Sequence, residues 1–286
     1  MCSSPWTRPN GGPVKCGQCM ECRLAYSREW AIRITHEARM HDKSCFLTLT
    51  YDDVCLPRFG QLVKRDLQLF FKRLRKAGYK FRYVAAGEYG DKSRRPHFHV
   101  ALFGEDFSAD RIPYGFGVNK DQMYVSRALA CIWNNSVFPM GHTIGSLTFE
   151  SAAYIARYIT KRVSGVGASP LPLAVDPETG EAVMPNPEFL VCSKGIGRAW
   201  FNEFFFSDVF PHARVITEQG SPAPVPRYYK SLLREYGADM ALNMSYRTSL
   251  NMEENLDSRV REDMPARRHS RSILAHARNG IVKRNL

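Results

Sequence analysis

The chain has no apolar run approaching the roughly 20 residues that a membrane-spanning helix needs. Its first residues, Met1 to Asn10, lack the basic region and apolar block of a secretory signal. No internal repeat is present, which sets aside solenoids and propellers, and no helicase motif occurs. Acidic residues are in short supply: 28 Asp and Glu face 40 Lys and Arg, a net charge of +12. Together these absences point to a soluble, cytoplasmic protein with a polyanionic partner, nucleic acid or an anionic membrane surface.

What is present is an ordinary globular composition, 44% hydrophobic and 24% charged over 286 residues, enough for one large domain or one domain with appendages. The eight cysteines are unevenly spread, and Cys16, Cys19 and Cys22 form one tight cluster. In a reducing compartment such a cluster suggests metal or free thiols before disulfides. Zinc takes four ligands. The cluster gives three, and Cys2, His36 or His41 is a candidate fourth; the alternative is a set of free thiols.

Pro96-His97-Phe98-His99-Val100-Ala101-Leu102-Phe103 reads as a strand. Side chains alternate faces along a strand, so His97 and His99 share one face while Phe98, Val100 and Leu102 enter a core. Two neutral imidazoles side by side can bind one divalent ion. Residues 79–88 read as the preceding strand, with Gly90 to Arg95 as a polar turn, so Glu88 can lie across a hairpin from the histidines. Two histidines and a carboxylate suit Mg²⁺ or Mn²⁺ when phosphate oxygens complete the shell. The competing reading pairs Glu88 with Arg94 or Arg95.

Residues 45–51 read as a third strand, closed by Asp52 and Asp53. Val63 to Ala77 is an amphipathic helix with Leu67, Phe70, Phe71 and Leu74 as its buried stripe. Its outer face is almost wholly basic, with Lys72, Arg73, Arg75 and Lys76 as candidate DNA contacts. A loop with Pro113, Gly115 and Gly117 follows the histidine strand, 125–133 fits helix or strand, and 141–149 has a weak strand pattern. Ser151 to Val163 is a helix whose core stripe is Ala152, Ile155, Ile159 and Val163. Tyr154, Tyr158 and Lys161 make a second stripe beside it. A phenolate on that stripe can attack a phosphodiester whose charge a metal and a cation help to hold, and a tyrosine one turn away allows a second transfer.

Phe46-Leu-Thr-Leu-Thr-Tyr51, Pro96-His-Phe-His99 and Tyr154-x-x-x-Tyr158-x-x-Lys161 stand in the order of the three motifs of HUH endonucleases, which initiate rolling-circle replication. The chain most closely resembles the initiators of gokushovirus-type microviruses. It shares with them the Cys16-x-x-Cys19-x-x-Cys22-Arg23 start, Thr48-Leu-Thr-Tyr-Asp-Asp53, Gly87-Glu-Tyr-Gly90 and Gly195-Ile-Gly197, and the resemblance covers roughly residues 14–230. It implies an α+β fold: a five-stranded antiparallel sheet of HUH/Rep type, an RRM-like palm, flanked by helices, with a helical C-terminal extension. The expected organisation is a cysteine-cluster segment and helix (1–43), the catalytic core (44–165), a loop-rich insertion with a short aromatic helix (166–226) and a basic helical region (227–286).

The resemblance also implies an activity. Tyr154 and Tyr158 would be nucleophiles on single-stranded origin DNA, His97, His99 and Glu88 the Mg²⁺ or Mn²⁺ ligands, and Lys161 a group steadying phosphate or phenolate charge. The products would be a 5′-phosphotyrosine and a free 3′-hydroxyl, later rejoined. Host helicase and polymerase would attend the protein in the cytoplasm of a bacterial cell, and no membrane is involved. The alternatives are a noncatalytic nucleic-acid-binding regulator, or a transposase or relaxase with the same chemistry.

Overall fold

The computed structural model describes residues 2–9, 11–90, 93–117, 120–134, 141–161, 173–175, 179–218, 220–253 and 256–284; within these, the side chains of 134, 158–161, 258–259, 262 and 278–284 are not described. The chain divides into two compact units, Met1–Glu37 with Gly197–Leu286 and Ala38–Ile196. In chain order the N-terminal elements are β1 (Trp6–Thr7), β2 (Pro13–Val14) and α1 (Met20–Ala38). The second unit carries β3 (Ser44–Thr50), α2 (Lys64–Lys76), β4 (Arg82–Tyr89), β5 (Pro96–Phe103), β6 (Arg111–Phe116), β7 (Gln122–Ser126), α3 (Arg127–Asn134), β8 (His142–Gly145), α4 (Phe149–Lys161), β9 (Ala174–Val175), β10 (Ala182–Val183) and β11 (Phe189–Cys192). The C-terminal stretch adds α5 (Arg198–Phe204), α6 (Arg227–Leu233), α7 (Ala238–Glu253), α8 (Leu256–Asp263) and α9 (Pro265–Arg284).

The class is α+β. A seven-stranded antiparallel sheet runs in the order β11-β4-β5-β3-β8-β7-β6. The resemblance implies five strands, and β4, β5, β3, β8 and β7 supply five. The other two come from segments whose prolines and glycines read as loop. Pro113 and Gly115 lie in β6, where a register shift between them absorbs their irregular backbone. β11 lies in the segment read as insertion and pairs along β4 from Phe189↔Gly87 to Cys192↔Val84. The ambiguous stretch 125–133 is both things, the end of β7 and then α3. The expected helix end at Val163 lies outside the described residues.

Period-2 alternation sorts the sheet into two faces. Leu47 and Leu49 of β3 and Phe98, Val100 and Leu102 of β5 point to one face, where Leu67, Phe70, Phe71 and Leu74 of α2 and Leu129 and Trp133 of α3 close a core with them. The indole N–H of Trp133 donates to the Thr50 carbonyl at 2.7 Å and ties α3 to the end of β3. α4 takes the opposite face, with Ala152, Ile155 and Ala156 fully buried.

The other unit has its own centre. The His36 ring stacks on Trp200 at 3.6 Å, and its Nδ1 is 2.9 Å from the Tyr229 hydroxyl. Gly197, at φ 81°, opens α5, and its N–H donates to Glu37 at 2.7 Å. A Cβ there would stand 2.6 Å from the Tyr229 hydroxyl, so both the backbone angle and the space call for glycine.

Phe98 is fully buried between the rings of Tyr51, Trp133 and Phe189. Truncation to alanine removes those contacts and leaves a cavity. Phe98→Ala is expected to cost about 3–5 kcal/mol, read as a lower urea midpoint for the sheet-bearing unit.

Candidate metal centre and its tyrosine

The hairpin register builds the site. β4 and β5 pair with Glu88 opposite His97 and Ala86 opposite His99. β5 and β3 pair with Thr48 opposite His99 and Thr50 opposite His97. Directly opposed residues project to the same face, so both histidines, Glu88 and Thr48 stand together on the face that α4 covers.

Their polar atoms converge. Nε2 of His97 is 2.7 Å and Nε2 of His99 2.8 Å from the same Glu88 oxygen, Oε1. The Glu88 side chain is 2% exposed, so water does not compete for it. Burial by itself resists ionisation of Glu88; hydrogen bonds and charge from His97 and His99 overcome it and hold the carboxyl well below the usual carboxylate range. One potential ligand atom from each of the three residues falls within 4.8 Å of the others.

The remaining ring nitrogens are held from behind. Nδ1–H of His97 donates to the Arg95 carbonyl at 3.1 Å, and Nδ1 of His99 pairs with the Thr48 hydroxyl at 3.1 Å. Each bond turns Nε2 toward the centre, as outer partners of metal-bound histidines do. Arg95 is itself fixed, donating to Asp53 at 2.6 Å and to the Tyr51 carbonyl at 2.5 Å. Arg94 stands over the Tyr89 ring, 5.4 Å from its centroid. Both arginines are thus turned to other partners, and Glu88 belongs to the histidines. The donor set fits a hard divalent cation: one carboxylate and two imidazoles on one side, with room for further oxygen ligands.

α4 adds the phenol. The Tyr154 hydroxyl donates to Glu88 Oε1 at 2.9 Å. Its ring packs edge-on to His99 at 4.8 Å and to Phe46 at 6.4 Å, while the Arg157 guanidinium lies 5.6 Å from the ring centre. Tyr158 and Lys161 are on the same helix, but their side chains lie outside those described.

The basic residues of α2 are placed elsewhere. α2 packs on the sheet face opposite the histidines. Arg73 donates to the Ile132 and Trp133 carbonyls at the end of α3, and Arg75 stacks on Phe81; Lys72 and Lys76 are exposed.

Sequence reasoning missed Thr48, Arg95 and Arg157. Thr48 was findable, since it lies two residues from Phe46 and from Thr50 on a strand with period 2. Arg157 was findable too, three residues after Tyr154 on a helix. Arg95 was not, because it acts through its backbone carbonyl.

A family model for the replication-associated protein ORF2 matches residues 44–163, the stretch from β3 through α4 that holds the whole cluster. Replication-associated protein VP4 of Bdellovibrio phage phiMH2K is 30% identical over 258 residues, 87% of this chain and 76% of that protein. The chain belongs to this family of phage replication-associated proteins, in keeping with its resemblance to microvirus rolling-circle initiators. Replication-associated protein ORF2 of Spiroplasma virus 4 is 34% identical over 203 residues, 66% of this chain. Replication-associated protein ORF4 of Chlamydia phage 1 is 30% identical over 233 residues, 78% of this chain. The chain spans 57% and 54% of the length of these last two. No solved structure matches it.

Divalent binding is testable without any nucleic acid. Mn²⁺ at a hundred times its dissociation constant should stabilise the protein by about 2.7 kcal/mol. His97→Ala and His99→Ala should abolish that gain in a thermal-shift titration. Thr48→Val, which removes the partner of Nδ1, should weaken Mn²⁺ roughly 10- to 100-fold.

Proposed function

We propose that this protein nicks single-stranded DNA at a replication origin, with Tyr154 as the first nucleophile, and so starts rolling-circle replication. The observation that carries the reading is the Tyr154 hydroxyl held on the same carboxylate oxygen that both histidines approach. A tyrosine kept merely for packing has no need of that position.

Glu88, His97 and His99 would hold Mg²⁺ or Mn²⁺, which when bound supplies Lewis-acid polarisation of a phosphoryl oxygen. Tyr154 Oη attacks the phosphorus. The new O–P bond forms as the bond to the 3′-oxygen breaks. The phenol proton leaves along its hydrogen bond toward Glu88, and the departing 3′-oxygen takes a proton from solvent. The strand then ends in a 5′-phosphotyrosine on one side and a 3′-hydroxyl, a primer, on the other. The ester keeps the phosphodiester bond energy, so attack by a 3′-hydroxyl rejoins the strand. Arg157 lends positive charge beside the phenol, and Lys161 is assigned the same task from its place on α4. Tyr158, one turn further along α4, serves the second transfer that strand release needs.

DNA is held through its backbone by basic residues, with Lys72 and Lys76 free to contact phosphates. Host helicase and polymerase extend the primer in the bacterial cytoplasm. No helix among the described residues is long and apolar enough to cross a membrane. A noncatalytic regulator would leave the buried cluster without a task. A transposase or relaxase would fit the chemistry, but the relatives carry replication names.

The test uses a random-sequence pool of single-stranded oligonucleotides with Mn²⁺. Wild-type protein should retain DNA after denaturation in detergent, and peptide mass spectrometry should place the adduct on Tyr154. EDTA, His97→Ala or His99→Ala should remove it. Tyr154→Phe should lose most of it, and Tyr154→Phe with Tyr158→Phe all of it. DNA still coupled to the double variant, or an adduct outside this pair, overturns the reading. Binding is a separate measurement: affinity should fall steeply as salt rises, and charge reversal at Lys72 and Lys76 should weaken it without changing the adduct formed per bound strand.

A further inference from the structure

Four sulfurs meet at the start of α1, in the unit that does not carry the histidines. Cys2 Sγ lies 3.4 Å from Cys16 Sγ and 3.7 Å from Cys19 Sγ. Ligand atoms of Cys2, Cys16, Cys19 and Cys22 all fall within 4.8 Å of one another. Sulfurs bound to one tetrahedral zinc ion at about 2.3 Å stand about 3.8 Å apart. A disulfide would bring two of them to about 2.05 Å, and all four cysteines are free. The spacing is that of four ligands around one ion.

The local fold places them deliberately. Cys19 and Cys22 are three residues apart at the opening of α1, so they share a helix face. Gly17, at φ 76°, turns the chain so that the N–H groups of Gln18 and Cys19 both donate to Cys16 Sγ, at 3.4 and 3.3 Å. Cys2 arrives from the other side. β1 and β2 pair with Trp6 opposite Val14, which folds the first residues back on the chain. The Cys16 N–H then donates to Cys2 Sγ at 3.3 Å, and the Ser3 hydroxyl donates to Glu21 at 3.0 Å. Three backbone amides aimed at two sulfurs suit thiolates better than thiols, since S–H groups are weak partners.

His36 and His41 are excluded as the fourth ligand. His36 is buried against Trp200 and Tyr229, and His41 packs on Phe103 in the other unit. We infer that Cys2, Cys16, Cys19 and Cys22 form a closed structural zinc site that clips the N-terminal hairpin onto the first turn of α1. With four protein thiolates the ion has no open position, so its task is folding rather than chemistry. The hairpin it secures presents Trp6, Arg8 and Lys15 to solvent. The inference stands apart from the nicking reading, because no residue is shared between the two sites.

The experiment measures metal in the full-length protein purified under reducing conditions without chelator. About one zinc per chain is expected, with a Zn K-edge spectrum of four sulfurs at about 2.3 Å. Cys2→Ser should lose the zinc and expose the N-terminal hairpin to limited proteolysis. Cys2→His, which restores a ligand, should keep it. His97→Ala should also keep it, which separates this ion from the histidine site. Protein without zinc, iron in its place, or zinc that survives Cys2→Ser and vanishes in His97→Ala would each overturn the assignment.

Discussion

One buried oxygen organises the catalytic face. Glu88 Oε1 is approached by His97, by His99 and by the Tyr154 hydroxyl, and almost no water reaches it. A carboxylate so placed is stable only while its partners stay in place, because an unpaired buried charge is costly. The hairpin register, the Thr48 and Arg95 bonds behind the histidines and the docking of α4 all serve that single convergence. A slip of one residue between β4 and β5 would send Glu88 to the hydrophobic face and dissolve the group.

This dependence explains why so much of the site could be read from residues alone. A strand has period two and a short hairpin has a fixed register, so His97, His99 and Glu88 follow from local spacing. Helix periodicity similarly placed Tyr154 on a face beside the buried stripe. The hydrophobic pattern of α2 and the switch from strand to helix near residue 126 were visible for the same reason.

What was not legible depends on long-range closure. Spacing alone left Cys2, His36 and His41 as rival fourth ligands for the cysteine cluster. Cys2 is fourteen residues before Cys16, and only the β1–β2 pairing brings it there. The outer strands were hidden by their own prolines and glycines, since a strand at a sheet margin tolerates residues that a central strand does not. The basic helix was correctly seen as basic, yet its location on the far face could not be inferred from its own sequence. That location separates phosphate contacts made by α2 from the reacting bond by the thickness of a sheet.

The two margins of the sheet bear on how the protein behaves in a crowded solution. An open strand is a template for another chain. On one side β11 caps β4 with only four residues. On the other, β6 carries Ile112, Tyr114 and Phe116, all more than half exposed, on a strand with nothing beyond it in the sheet. That combination is ordinarily sticky. Here Pro113 withholds a donor and the irregular register at Pro113/Gly115 bends the rim, so a second copy finds no continuous ladder to extend. The outermost strand can therefore hold apolar side chains in water without polymerising.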